Sequence, residues 1–319
     1  VFIIPESLVT LENANRHVSW RDQFQLASKP FNYEVRFTLA DYQSTIDKYN
    51  NPEKKLGDDY YYEGMKVGEI WGYETEGFFT SQADIDSHAK QPYFYAGATA
   101  GQWLPGDIKF KDLNGDGVID YGNNTVDNPG DQKIIGNSEP RFIYGINLSG
   151  DWNNFFVSAF FQGVGKQDWW PGSEASYFWG MYNRPYNDMP KSHLGNIWTE
   201  ENPNTYFPRL RGYSSEEPYA ELNLKQTRYL QNIAYIRMKN IQLGYTLPKS
   251  FISKLRMQNA KVYVSGENLW SWSPFYKYSK DLDVEAVRGS DRDLTEGTSG
   301  NGYSYPILKS VSFGLSVTF

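Results

Sequence analysis

The strict alternation of apolar and polar residues at the end of the chain constrains the fold most. Val311, Phe313, Leu315, Val317 and Phe319 occupy one parity, and Ser312, Gly314, Ser316 and Thr318 the other. A repeat of two places these sets on opposite faces of a β-strand, one apolar and one polar. The pattern recurs upstream. Tyr33, Val35, Phe37 and Leu39 oppose Glu34, Arg36, Thr38 and Ala40, while Phe142, Tyr144, Ile146 and Leu148 oppose Arg141, Ile143, Gly145 and Asn147. Phe155, Val157, Ala159 and Phe161 follow after a turn, and Ile241, Leu243, Tyr245 and Leu247 alternate with Asn240, Gln242, Gly244 and Thr246. Val18, Trp20, Phe24 and Leu26 form a weaker set, interrupted by Asp22, and Val262 and Val264 begin one more strand. Seven strands are thus predicted, at 16–26, 33–48, 140–149, 155–168, 228–247, 260–273 and 305–319. The apolar parity slips between Met238 and Ile241, which predicts a β-bulge near Lys239–Asn240 or emergence from a membrane there.

Alternation alone also fits a soluble sandwich. The connections discriminate. Segments 27–32, 150–154 and 248–259 are short, whereas 49–139, 169–227 and 274–304 are long, and the two kinds strictly alternate. All long connections then leave one end of the sheet. Outer-membrane barrels have this asymmetry, with short periplasmic turns and long extracellular loops, and long one-sided loops are uncommon in compact soluble domains. The expected fold is therefore all-β, a transmembrane antiparallel barrel. An odd number of strands cannot close a bacterial single-chain barrel, and an open edge in lipid leaves costly unpaired backbone groups. Further strands are expected on the N-terminal side, outside this chain.

Composition agrees. Aromatic residues make up 17% of the 319 residues, including 25 Tyr, 19 Phe and 10 Trp, which favours sheet. There is no cysteine, so disulfides and thiol chemistry are excluded, and the net charge of −7 argues against a nucleic-acid partner. His17, His88 and His193 are far apart and none has HExxH spacing. No apolar run reaches the ~18 residues of a membrane helix, and Val1–Pro5 does not resemble a signal peptide.

Several longer segments carry a family resemblance. They are Tyr62–Phe79, Gly106–Asp120, Gly130–Gly145, Phe160–Gly172, Thr227–Pro248, Ala260–Pro274 and the terminal strand. In this order, from about residue 16 onward, they resemble the C-terminal portion of SusC/RagA-type TonB-dependent transporters of Bacteroidetes; residues 1–15 do not match clearly. The resemblance implies a barrel of about 22 strands, of which these seven would be the last. It also implies a plug domain and a TonB box, neither within this chain, and coupling to TonB-ExbB-ExbD. A SusD-like lipoprotein lid, a dimer of SusC–SusD pairs and uptake of an oligosaccharide, or secondarily a peptide, would follow. The rival reading is a secreted or surface all-β carbohydrate-binding or adhesin module.

Five groups of residues are candidates for function or for the surfaces around it. Phe319, with Val317, Leu315 and Phe313, would form the barrel-assembly signal that the resemblance implies; any sheet's last strand could end the same way. Asp112, Asn114, Asp116, Val118 and Asp120 match the first nine positions of an EF-hand-like calcium loop, with Gly117 at the sharp turn. Asn123 stands where a bidentate Glu is usual, so a metal-free Asx turn is an equal alternative. Trp169, Trp170, Tyr177, Phe178, Trp179, Tyr182 and Tyr186 crowd one long loop, where they could stack on sugars, touch a lid protein, or pack together to order the loop. Trp270 and Trp272 are expected in an interfacial girdle, and Arg141, Arg237 and Lys239 on a solvated wall. The acidic pairs Asp58–Asp59 and Glu216–Glu217 give no catalytic pattern, and no GxSxG, Walker or GxGxxG signature occurs in the right context. An enzyme is not expected.

Overall fold

Two adjacent asparagines set the register of the central hairpin. Asn153 and Asn154 have φ of 47° and 74°, the doubly left-handed turn whose twist matches a two-residue β-hairpin. The turn pairs Trp152 with Phe155 and lets the two strands run antiparallel from there. The computed structural model describes residues 10–12, 18–28, 31–57, 60–92, 103–173, 175–186, 188–212, 220–287 and 305–319. Its main sheet has seven antiparallel strands. They are β1 (Val18–Ser28), β2 (Phe31–Asp41), β3 (Arg141–Trp152), β4 (Phe155–Lys166), β5 (Tyr235–Thr246), β6 (Asn259–Trp272) and β7 (Ser310–Thr318). Each pairs with its neighbours in chain order, so the sheet is an up-and-down meander with β1 and β7 at its edges.

Register carries the alternation across the whole sheet. Phe37, Ile146, Phe161 and Met238 lie in one row, as do Val35, Leu148, Ala159 and Ile241. Leu243 pairs with Val264, which pairs with Phe313. One face is therefore an apolar band. The other carries Arg36, Asn147, Phe160 and Asn240 in one row and Ser158, Gln242, Ser265 and Ser312 along the sheet. Glycines on both faces make room for rings from the next strand. A Cβ at Gly244 would lie 2.2 Å from the Phe156 ring, and one at Gly314 would lie 2.1 Å from that of Tyr263. On the apolar face the Tyr144 ring crosses Gly163, and its hydroxyl donates to the Tyr235 carbonyl at 3.2 Å. That bond satisfies the one polar atom of the ring on a face with few other partners.

The bulge predicted near Lys239–Asn240 is present. Pairing of β5 jumps from Met238 to Asn240 on both sides, leaving Lys239 without a cross-strand partner; opposite it β6 accommodates Asn268 with φ of 53°. The shift keeps Met238 and Ile236 on the apolar face despite their changed parity, level with Trp270 and Trp272.

Three strands are markedly shorter than the sequence predicts; the one expected over 305–319 spans Ser310–Thr318. The strand expected over 33–48 stops at Asp41, because Thr45–Lys48 turns away to pair with Thr10–Glu12. The strand expected over 228–247 begins at Tyr235, because Gln231–Asn232 pairs with Asp168–Trp169 instead. Both diversions occur at the end of the sheet where the long segments emerge. There, smaller antiparallel pairs, Glu69–Tyr73 with Gln132–Asn137 and Thr75–Phe78 with Ile108–Phe110, build a separate layer.

Candidate functional site

The three long segments share one large core above the sheet, and a smaller cluster of Ile46, Leu56, Tyr62 and Met65 lies beside the start of the first. Ile108 and Phe110 come from the first, Trp169, Phe178, Trp179 and Phe207 from the second, and Phe275 and Val284 from the third. Val164 and Tyr235, at the tops of β4 and β5, join them. None of these segments could bury such rings alone. Together they exclude water from a cluster that includes seven large side chains of the second segment.

This core takes up most of the candidate ligand-contacting rings. Trp169 and Trp179 are fully buried, as is Tyr182, and Trp170 is nearly so. Trp179 packs on Phe178 and Tyr229 at 4.8 and 5.3 Å between centroids, and its indole N–H donates to the carbonyls of Pro171 and Gly172. The Tyr182 hydroxyl donates to the Pro208 carbonyl at 2.6 Å, and burial raises its pKa. Rings so enclosed order the loop; they have no free face for a ligand. Tyr177 and Tyr186 are the exceptions, exposed at 56% and 76%. His193 lies against Phe207 in the same core with Nε2 on the Phe178 carbonyl, and burial lowers its pKa. It is a core histidine.

An aromatic-lined pocket of about 370 Å³ opens between the first and second segments. Tyr60, Tyr62, Trp71 and Tyr121 supply rings, and Glu69 and Asn124 supply polar groups. Tyr62 donates its hydroxyl to Glu69 Oε2 at 2.5 Å, and Glu69 Oε1 accepts the Lys66 N–H. Burial first, and Glu69 second, push the Tyr62 pKa up to about 12. The phenol thus stays protonated and orients the carboxylate. Sequence reasoning missed this pocket; the run Tyr60-Tyr61-Tyr62 ahead of Glu63-Gly64 was its only local signal.

Two charged clusters brace the cap. Asp107, fully buried, receives Arg209 and Arg211 from the second segment and the Leu104 N–H. Glu221 is also buried and accepts the Ile108 N–H at 2.9 Å; burial and the neighbouring Asp107 raise its pKa, while Arg211 and Arg209 oppose the rise. The second cluster corrects the expectation of a solvated wall. Arg237 is 3% exposed, gripped by Asp283 at 2.5 Å and near Glu285, and Lys239 at the bulge reaches Glu285 at 2.5 Å. Their side chains had to leave water, so they are paired. Arg141 pairs with Asp41.

In the candidate calcium loop, Asp112 Oδ1 and Oδ2 accept the N–H groups of Gly115 and Gly117, Asn114 Oδ1 that of Asp116, and Asp116 Oδ1 that of Val118. Asp120 accepts from Gly122, and Asp131 holds the amides of Leu113 and Asp120. This Asx-turn network accounts for the loop's shape. Among the described residues no three acidic, histidine or cysteine side chains converge as a metal site would, so the calcium reading rests on the sequence motif. Asp58–Asp59, Glu216–Glu217 and residues 1–9 and 13–17 lie outside the described residues. Trp270 and Trp272 are exposed on the apolar face.

The comparisons with known proteins bear on the whole arrangement. No family model matches the chain. TonB-dependent receptor P3 of Formosa agariphila is 29% identical over 259 residues, 81% of this chain and 22% of that protein. TonB-dependent receptor P26 of the same organism is 29% identical over 264 residues, 80% of this chain and 23% of that protein. The chain is similar in sequence to these TonB-dependent receptors. It spans about a fifth of the length of the receptors it matches. Among solved structures, the RagAB peptide transporter superposes with a TM-score of 0.62 at 17% identity, over 94% of this chain and 28% of that one. The RagAB peptide importer in its closed-closed state gives 0.61 at 18% identity, over 95% and 29%. The seven-stranded meander therefore shares the fold of the matching part of these RagAB structures. No described helix is long and apolar enough to cross a membrane.

Proposed function

We propose that this chain forms part of the wall and the outer loops of a TonB-dependent importer in the outer membrane. The observation that carries the reading is the continuous apolar face, with every long segment at one end of the sheet. At the short-turn end Phe31, Trp152, Phe155 and Tyr245 form one row on that face; at the other end stand Trp270 and Trp272. Along β5, Tyr245 to Ile236 spans roughly 27 Å, or about 20 Å normal to a membrane at usual barrel tilts, close to the height of an outer-membrane apolar band. The two aromatic rows would be its girdles, with the long segments extracellular. The edges β1 and β7 would pair with further strands of the same protein, since neither can stay open in lipid.

Energy would come from TonB-ExbB-ExbD through other parts of the protein. A SusD-like lipoprotein would cover the long segments, with exposed Tyr177 and Tyr186 as contacts, and SusC–SusD pairs would dimerise. Phe313, Leu315, Val317 and Phe319 on the outer face would serve barrel insertion. No catalytic role is proposed.

The cargo we assign is an oligosaccharide. Ring faces of Tyr60 and Tyr121 beside the Asn124 amide and the Glu69 carboxylate suit stacking and hydroxyl recognition. A peptide is the second reading, favoured by the likeness to the RagAB peptide transporter. Uptake of fluorescent oligosaccharides and peptides by cells making the full-length protein, with and without TonB, tests both. TonB-dependent accumulation of neither would overturn the import reading, and accumulation of peptides alone would replace the cargo.

A further inference from the structure

The chain carries a net charge of −7, yet one large pocket is rich in cations. It has a volume of about 880 Å³ and lies where the top of β6, the third long segment and the lead into β7 meet. Lys277, Lys280, Lys309 and Arg237 line it, beside the rings of Trp272 and Tyr276. Two acidic residues, Asp281 and Asp283, share the lining. Asp283 is committed to Arg237. That leaves three lysines facing one aspartate, and among the described residues none of the three forms an ion pair.

The convergence is built by the fold. Lys309 is separated by about thirty residues from Lys277 and Lys280 in sequence. Asp283 ties them together: one oxygen holds Arg237 and the other accepts the Ile307 N–H at 3.1 Å. Asn268, at the bulge in β6, donates to the Leu308 carbonyl at 3.2 Å. The lead into β7 is thus pinned against the third segment, and Lys309 reaches the same cavity. All three lysines are exposed, and the Lys277 ammonium lies 5.2 Å over the Tyr278 ring. Cations that no described carboxylate neutralises, set within a concave, low-dielectric wall, attract anions more strongly than the same charges on a flat surface. The Tyr276 ring, whose hydroxyl meets Ser271 on the polar side, offers a face to a sugar.

We infer that this pocket binds the anionic groups, carboxylate or sulfate, of an acidic oligosaccharide, through Lys277, Lys280 and Lys309. The inference rests on the oligosaccharide reading above and narrows it to a charged class. The same chemistry could be met by the phosphates of an outer-leaflet lipid, because Trp272 stands at the rim; the orientation of Arg237, Tyr276 and Asp283 toward the polar face favours the soluble sugar.

The test uses full-length transporter purified from outer membranes in detergent. Calorimetric titration would compare oligogalacturonate and sulfated carrageenan hexamers with methyl-esterified and neutral hexamers. The expected result is preferential binding of an acidic member, weakened by salt, and lowered roughly tenfold or more by the triple variant Lys277→Gln, Lys280→Gln, Lys309→Gln with the melting temperature unchanged. Equal binding of acidic and neutral sugars, no binding of any acidic sugar, or an acidic preference that survives the triple variant would overturn it. So would loss of co-purifying lipid A phosphate in the variant without change in sugar binding, which would assign the pocket to lipid. Oligosaccharide uptake that depends on TonB but not on ligand charge would leave the import reading standing while this one fails.

Discussion

Replacing Trp179 by alanine tests whether the three long segments form one packed unit. Trp179 is fully buried, touches Trp170, Phe178 and Tyr229, and donates its indole N–H to two carbonyls. Truncating such a residue costs roughly 3–5 kcal/mol from lost transfer energy and the cavity left behind. Its pairing with several rings and its hydrogen-bonded N–H place it toward the upper end. That cost raises the population of the opened cap by about two to three and a half powers of ten. The core is shared by Phe110 from the first segment and Phe275 from the third, so the loss should not stay local. Hydrogen exchange on full-length protein should show faster exchange near Ile108–Phe110, Lys191–Phe207 and Pro274–Lys277 together, while β3 to β6 keep their protection. Tyr186→Ala, at an exposed position, should change none of these. Faster exchange confined to the neighbourhood of residue 179 would refute the idea of one shared core, and unchanged exchange would refute the burial argument itself.

Other expectations follow from single contacts. Gly163→Val should sharply lower the folded protein in outer membranes, measured by heat-modifiable migration, because its Cβ would lie 2.3 Å from both the Tyr144 ring and the Tyr235 carbonyl; a normal yield would mean the ring does not cross there. Glu221 has its pKa raised by burial, so the folded cap binds a proton that the unfolded segment releases, and cap stability falls as pH rises above the ordinary carboxylate range. Glu221→Gln should flatten that fall, read by limited proteolysis between pH 5 and 8; an unchanged pH profile would contradict it. The Asx network predicts that residues 112–131 keep their exchange protection in EDTA; protection that appears only with calcium, and is lost in Asp112→Asn, would establish the ion instead.

The wall was legible in the sequence because a strand's faces are read residue by residue. Phe155, Val157, Ala159 and Phe161 declare their apolar face with no knowledge of their neighbours, and the parity slip before Ile241 located the bulge at Lys239. Strand ends were less legible. Asp41 ends β2 only because Thr45–Lys48 finds another partner, and such competition is not written in local propensity. The cap was the hidden part. The alternatives for Trp169, Trp170, Trp179 and Tyr182, ligand contact or mutual packing, could not be separated until segments over a hundred residues apart were seen to share a core. Arg237 looked like a solvated wall residue for the same reason: Asp283, its partner, lies 46 residues away. The basic pocket likewise depends on residues brought together by hydrogen bonds to Ile307 and Leu308.

If the sheet is membrane-embedded as proposed, one face meets lipid and the other meets water. Single cysteines placed at successive positions of β4 and β5, from Phe156 to Phe161 and from Asn240 to Tyr245, in cysteine-free full-length protein in outer membranes, test it directly through labelling by a small water-soluble maleimide. Labelling should follow a period of two: Ser158, Phe160 and Gln242 reactive, Val157, Ala159 and Leu243 protected. Uniform labelling of both sets, or protection of the polar positions instead, would contradict it.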